Sequence, residues 1–248
     1  MRKFLLVVVL LNSLLASSSF AGTMGPIQLP ERTWVSTLSI GPVWEDGGRT
    51  QTFLLAPEIE KTYLAYKSRK ALVNGELFLG IQKSVFQQLQ GQLGIAVAAT
   101  NNARLRGEIW DDADPIFNNH IYRYQIQHSR ITVKGKLLAD RGYWLTPWLS
   151  GSLGVGFNNA HDYQNRPLIS AALPNPNFGD NTKTAFSYTV GVGLQKSINT
   201  HWQVGVGYEF ADWGKSELNR ALGQVYGRGL ALNHFYTNGL LFSLSYLA

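Results

Sequence analysis

Residues 184–210 alternate between apolar and small polar side chains, and no other feature of the chain narrows its fold as far. Phe186, Tyr188, Val190, Val192 and Leu194 interleave with Ser187, Thr189, Gly191, Gly193 and Gln195; further on, Trp202, Val204, Val206, Tyr208 and Phe210 interleave with Gln203, Gly205, Gly207 and Glu209. Successive side chains of a strand point to opposite faces, so each segment is a strand with one apolar and one polar face. If the two form a hairpin, their apolar faces must coincide, and paired residue numbers must sum to an even value. A turn at Asn199-Thr200-His201 satisfies this. It sets Leu194 opposite Val206 and Val192 opposite Tyr208.

The same period recurs along the chain. Leu77, Leu79 and Ile81 share a face; so do Leu93, Ile95, Val97 and Ala99; then Leu145, Pro147, Leu149, Leu153, Val155 and Phe157; and last Leu240, Phe242, Leu244 and Tyr246. Trp34, Leu38 and Ile40 mark a first strand. Residues 120–138 shift phase, from Tyr122, Tyr124 and Ile126 to Ile131, Val133 and Leu137. Either a bulge near Ser129 or an upper half that rises out of the surrounding medium accounts for the shift. Strands at 33–43, 74–87, 91–104, 120–138, 143–157, 184–198, 202–213 and 234–247 make eight. Residues 52–66 are partly apolar and contain Pro57, which suits a loop excursion better than a central strand; as a membrane hairpin they would raise the count to ten.

The polar faces carry glycine, serine, threonine and glutamine with few charges, unlike a solvated surface. Charged residues make up 15% of the chain, against roughly 25% in a soluble domain. A narrow interior lined by small polar groups, with the apolar parity facing lipid, fits better. In a bilayer every backbone group must be paired internally, so the sheet must close. The fold expected is all-β: a transmembrane, antiparallel, up-and-down β-barrel. Tight connections at 88–90, 140–142 and 199–201 alternate with long ones at 44–73, 105–119, 158–183 and 214–233, giving periplasmic turns and extracellular loops. Trp202 and Tyr246 fall at the periplasmic rim, and Phe186, Tyr188, Tyr208 and Phe210 toward the other. Lys83 and Lys196 break the lipid-facing parity near turns, where a lysine can snorkel to the headgroups.

The N-terminus reads as an address. Arg2 and Lys3 precede a short apolar stretch at 4–15, and small residues occupy the −3 and −1 positions of a cut between Ala21 and Gly22. This is the form of a secretory signal peptide, residues 1–21, leaving residues 22–248 as the barrel domain. Twelve residues are too few to span a bilayer, which takes about 20. The chain has no cysteine, which excludes disulfides, thiolate metal sites and a lipoprotein anchor. The formal net charge of +6 is dispersed, with Lys67-Ser68-Arg69-Lys70 its only tight cluster. That cluster reads as a solvated loop, and nucleic acid is a poor partner for an exported chain.

These strands, with the terminal segment Leu240-Leu241-Phe242-Ser243-Leu244-Ser245-Tyr246-Leu247-Ala248, resemble the small outer-membrane β-barrel family, the OmpA/OmpX-type eight-stranded barrels and porin-like surface antigens. The resemblance runs from Trp34 to Ala248. It implies a Gram-negative outer-membrane location, surrounding membrane lipid, and a barrel-assembly machinery that reads the last strand through Phe242, Leu244 and Tyr246. The family usually ends on an aromatic residue; here Leu247-Ala248 follow Tyr246.

An eight-stranded barrel is just wide enough for its own side chains to fill. Glu76, Lys134, Lys136, Thr132, Gln203 and Glu209 fall on the lumen parity, and opposite charges there are expected to pair, because an unpaired buried charge is expensive. The expected role is a non-enzymatic, surface-exposed scaffold whose long loops are available to bind a surface ligand or host factor. A small porin-like channel and a lipid-modifying enzyme are the alternatives. Adjacent residues such as His128 and Ser129 point to opposite faces, His161 and Asp162 lack a neighbouring nucleophile motif, and no G-x-S-x-G pattern occurs. Asp111-Asp112-Ala113-Asp114 lacks the calcium-loop pattern, having Ile116, Phe117 and Arg123 where Asp or Asn, Gly and Glu belong. No cofactor, metal or catalytic residue is expected.

Overall fold

A computed structural model describes residues 32–248, apart from 69, 87, 171 and 173. The signal-peptide reading of residues 1–21 lies outside the described residues. Among the described residues thirteen strands follow in chain order: β1 (Thr33–Asp46), β2 (Gln51–Ala56), β3 (Ile59–Ala65), β4 (Ala71–Phe86), β5 (Leu89–Thr100), β6 (Ala103–Asp111), β7 (Asn118–Ala139), β8 (Thr146–Pro167), β9 (Asn181–Ser197), β10 (Trp202–Asp212), β11 (Ser216–Glu217), β12 (Ala231–Leu232) and β13 (Tyr236–Leu247). Among the described residues, eight of these close a ring in the order β1, β4, β5, β7, β8, β9, β10, β13, each pair antiparallel. The ring leaves no sheet edge facing lipid.

The register follows the side-chain parity. Leu194 lies opposite Val206 and Val192 opposite Tyr208, so both apolar faces look outward. The last strand pairs with the first, Ser36 opposite Tyr246. Phe242, Leu244 and Tyr246 are exposed on the outer wall, and Trp202 packs against Tyr246 at a ring separation of 5.0 Å. Lys196 spreads over the Trp144 ring at 5.0 Å, the posture of a lysine reaching along apolar surface toward water.

The ten-strand alternative is excluded, because residues 52–66 stay out of the ring. They form the hairpin β2–β3, with Pro57 in its turn and Glu58 at φ 62°, and β3 pairs with β6 instead. Parts of the expected long loops are strands that climb beyond the belt, whereas 214–233 holds only the short β11 and β12. β6 continues the line of β5 along β7, and β8 runs to Pro167, well past the expected end at Phe157. The connection after β7 is longer than expected, because Tyr143 and Trp144 are held exposed at the lower rim before β8 begins.

The phase shift in residues 120–138 is also resolved. Even-numbered residues of β7 point inward throughout: Tyr122, Tyr124 and Ile126 are buried above, and His128, Arg130 and Thr132 below. The β7–β8 register does slip, but between Arg123 and Gln125 rather than near Ser129. What changes along the strand is the medium. Below, lipid lies outside and polar groups inside; above, water lies outside and an apolar core inside.

Candidate functional site

The interior has two storeys. In the lower one, Glu76 of β4, Arg130 and Lys134 of β7 and Glu209 of β10 meet across the lumen. Arg130 Nη2 donates to Glu209 Oε1 at 2.8 Å and to Glu76 Oε2 at 3.2 Å. Lys134 Nζ donates to Glu209 Oε2 at 3.1 Å and also to Glu76 Oε1. Two cations and two carboxylates therefore alternate, each shared by two partners. Glu76, Arg130 and Glu209 are buried and Lys134 nearly so, and each pairing offsets the desolvation that an isolated buried charge would incur.

Lys136 sits nearer the periplasmic end. It donates to Gln195 Oε1 at 2.6 Å and lies 4.7 Å from the centroid of the Trp148 ring. Gln195 in turn donates to Gln203 Oε1 at 2.8 Å. Trp148 lies against the wall where it is thinnest, since a Cβ at Gly207 would meet its ring at 2.3 Å. Between this layer and the quartet remains a void of about 40 Å³ beside Thr37, Phe78 and Ser150, room for a few waters. The structure thus brings Glu76, Lys134 and Glu209 together and sets Lys136 and Gln203 in the layer below. Arg130, the centre of the quartet, escaped the sequence reading. Its parity with Thr132, Lys134 and Lys136 is the signal that could have found it.

The upper storey is an apolar plug. Tyr63, Tyr122, Tyr124, Tyr163 and Phe178 pack with Leu105, Ile109 and Ile126 inside the risen strands. Tyr63 meets Tyr122 edge-on at 5.8 Å and Phe178 at 5.4 Å. Burial pushes the phenols of Tyr63 and Tyr122 up from their ordinary value, so both stay neutral. The segment between β10 and β13 folds into the mouth. Its Trp213 stacks on His128 at 4.3 Å and packs edge-on against Phe235 at 4.8 Å.

His128 is oriented by Asn158, whose Nδ2 donates to the Trp213 and Lys215 carbonyls at 2.8 and 2.9 Å. That leaves Oδ1 to accept, so His128 Nδ1 carries the hydrogen of their 2.7 Å bond. His128 points inward and Ser129 outward, which fits a packing role rather than a shared proton. His161 Nδ1 lies 3.7 Å from Asp162 Oδ2. Asp111 is held by Lys61 at 2.7 Å and by the Asn119 amide at 2.7 Å. Burial alone would raise the Asp111 carboxyl, but these two donors outweigh it and hold the group below the usual carboxylate range. Asp114 accepts from the Ile116 N–H and caps the short 3-10 turn Pro115–Phe117.

At the membrane-distal end the hairpin tips converge on a cleft of about 510 Å³, lined by Ile59, Lys61, Asp111, Phe117, Pro174 and Leu222 among others. Around it apolar side chains stand in solvent: Leu222 is 93% exposed and Ile116 85%, with Ile59, Phe117, Leu168 and Ile169 also exposed.

No protein family's sequence profile matches the chain, and no curated protein does. Solved structures do. The outer-membrane protease OmpT from Escherichia coli superposes with a TM-score of 0.51 at 9% identity, over 94% of this chain and 99% of that one. Neisserial surface protein A matches with a TM-score of 0.43 at 10% identity, over 86% and 96%. The attachment invasion locus protein Ail of Yersinia pestis matches with 0.38 at 13%, over 88% and 98%. At such identities the likeness is one of fold, and the OmpT match assigns no protease activity. The fold shared with OmpT, together with the outward apolar belt, is that of a transmembrane β-barrel of the outer-membrane type.

Proposed function

We propose that the barrel is a closed scaffold that carries a protein-binding head on the cell surface. The observation behind this reading is the crown of apolar side chains at the hairpin tips. Lipid accounts for exposed apolar groups on the lower wall; it does not account for Ile116, Phe117, Leu168, Ile169 and Leu222 at the far end. Exposed apolar side chains gathered at one end, away from lipid, support an interaction site, and the cleft lined by Phe117 and Leu222 offers it concavity. The partner class that fits is a protein surface able to cover aliphatic side chains, such as a host surface or matrix protein. The channel reading has less support, since the ion quartet below and the aromatic plug above both fill the lumen.

The test is adherence of cells displaying the barrel to surfaces coated with matrix or serum proteins, compared with cells displaying I116D/I169D/L222D at equal surface abundance. Wild-type cells are expected to adhere and the variant to lose most of the gain. Equal adherence would refute the reading, as would stable conductance steps from the refolded wild-type barrel in a planar bilayer. The assembly machinery's use of Phe242, Leu244 and Tyr246 belongs to the same reading. Those side chains line the outer wall of the strand that closes the ring, where an insertion factor reaches them before closure.

A further inference from the structure

We propose that the outer wall of β6, β7 and β8, just above the lipid belt, binds the phosphate-bearing headgroup of an outer-leaflet glycolipid. Arg106 of β6 and Arg123 of β7 stand directly opposite each other, both exposed on the outer face. Like charges in directly opposed positions destabilise a strand pair, so an anion between them removes a penalty built into the sheet. Arg123 is anchored by a neutral group, its Nε and Nη2 both donating to Gln164 Oε1 at 3.2 and 2.6 Å. Arg104 lies on the same face of β6 below Arg106. Among the described residues, none of the three arginines pairs with a carboxylate. The carboxylates of this face turn to neutral donors rather than to the arginines: Glu108 accepts from the Tyr66 hydroxyl, and Asp162 accepts from Gln125 Nε2 at 2.8 Å.

Beneath the arginines the wall contains a recess. Here β5 gives way to β6 and β3 to β4, and the gap is stitched by amides. Asn101 Oδ1 accepts from the Val73 N–H at 2.8 Å, and Asn102 Nδ2 donates to Gln125 Oε1 at 3.0 Å. The resulting cavity, about 520 Å³, is lined chiefly by Lys70, Asn101, Asn102, Arg104, Gln125 and Gln127. Two cations and four amides suit a phosphorylated sugar: charge for the phosphate, donors and acceptors for hydroxyls. Its height suits a lipid too. Ser129 pairs with Ala99 on one side and Phe157 on the other, and this row marks the top of the apolar belt; the recess opens just beyond it. Around the rest of the ring this level carries aromatic groups, Trp44, Phe186, Phe210 and Tyr236, so the basic sector is confined to one side.

The test uses full-length barrel refolded in detergent, with native mass spectrometry reading its binding of lipid A that carries both phosphates. Dephosphorylated lipid A is expected to bind at least about tenfold more weakly, and inorganic phosphate in large excess not to compete. A juxtamembrane cation contributes about fivefold in affinity, so R104Q/R106Q/R123Q is expected to lose on the order of a hundredfold. If that triple variant fails to refold, judged by gel mobility before and after boiling, R106Q alone is expected to lose about fivefold. Equal binding by the folded variants, indifference to the lipid phosphates, or displacement by inorganic phosphate would each overturn the proposal.

Discussion

Replacing Arg130 by Met tests whether the quartet closes the lumen and holds the barrel together. Arg130 Nη2 lies 2.8 Å from Glu209 and 3.2 Å from Glu76. At an effective dielectric constant of about 20, those separations correspond to Coulomb attractions of about 6 and about 5 kcal/mol. Much of that sum only offsets the cost of taking four charges out of water, so the attraction is not the expected loss. The change leaves two buried carboxylates sharing Lys134 alone, and breaking a buried pair by removing one partner costs about 3–5 kcal/mol. Urea titration of the barrel in lipid vesicles, followed by tryptophan fluorescence and by the folded and unfolded gel bands, should show R130M destabilised by that amount. The apolar replacement of all four, E76L/R130M/K134M/E209L, should lie close to the wild type, because it removes the desolvation along with the attraction. An R130M barrel within about 1 kcal/mol of wild type would refute the reasoning. So would a quadruple variant weaker than R130M.

Other outcomes follow from the same geometry. Trp213→Ala removes a buried ring stacked on His128 and packed edge-on against Phe235; it should cost about 3–5 kcal/mol locally and expose the segment between β10 and β13 to trypsin at Lys215, Arg220 and Arg228 while the barrel band persists. Gly207→Val places side-chain atoms where the Trp148 ring lies and 2.9 Å from the Val192 carbonyl oxygen, so folding yield should fall, and W148A should restore it in part in the double variant. Asp111 has a lowered folded pKa. Its pairing with Lys61 therefore stabilises the head fully above its ordinary value of 3.8, and the contribution is lost as pH falls through the lower folded value. Amide exchange in β3 and β6 should accelerate below that point in wild type and show no such acid step in D111N.

The transmembrane half was legible because lipid and lumen impose opposite demands on alternate residues, and side-chain parity records them. The Leu194–Val206 pairing followed from parity alone. The upper half obeys the same backbone geometry but different solvents, and there pattern reading misled. Tyr122, Tyr124 and Ile126 share a face with Arg130 and Lys134, yet their apolarity resembles that of Ile131 and Val133 on the other face. Treating the shift as a change of face hid Arg130. Residues 52–66 looked like a loop because Pro57 interrupts them, although a proline at a hairpin turn interrupts nothing. The apolar crown was not legible, since exposure at a hairpin tip depends on which neighbours the tip meets.

The two storeys explain why the lumen is stopped twice. Within the membrane the wall's outer face is apolar, so the inner face must take the polar residues, and a barrel this narrow can hold charges only if they neutralise one another. Glu76, Arg130, Lys134 and Glu209 meet that condition by alternating in sign. Above the membrane both faces would otherwise meet water, and risen strands with two wet faces would have little to hold them. Tyr63, Tyr122, Phe178 and Trp213 supply the missing core by turning the interior apolar. The head is therefore a small water-soluble fold built on a membrane barrel, sharing its strands. A permeation path would have to break both the ion network and that core, whereas a binding surface needs only the rigidity they confer on the tips.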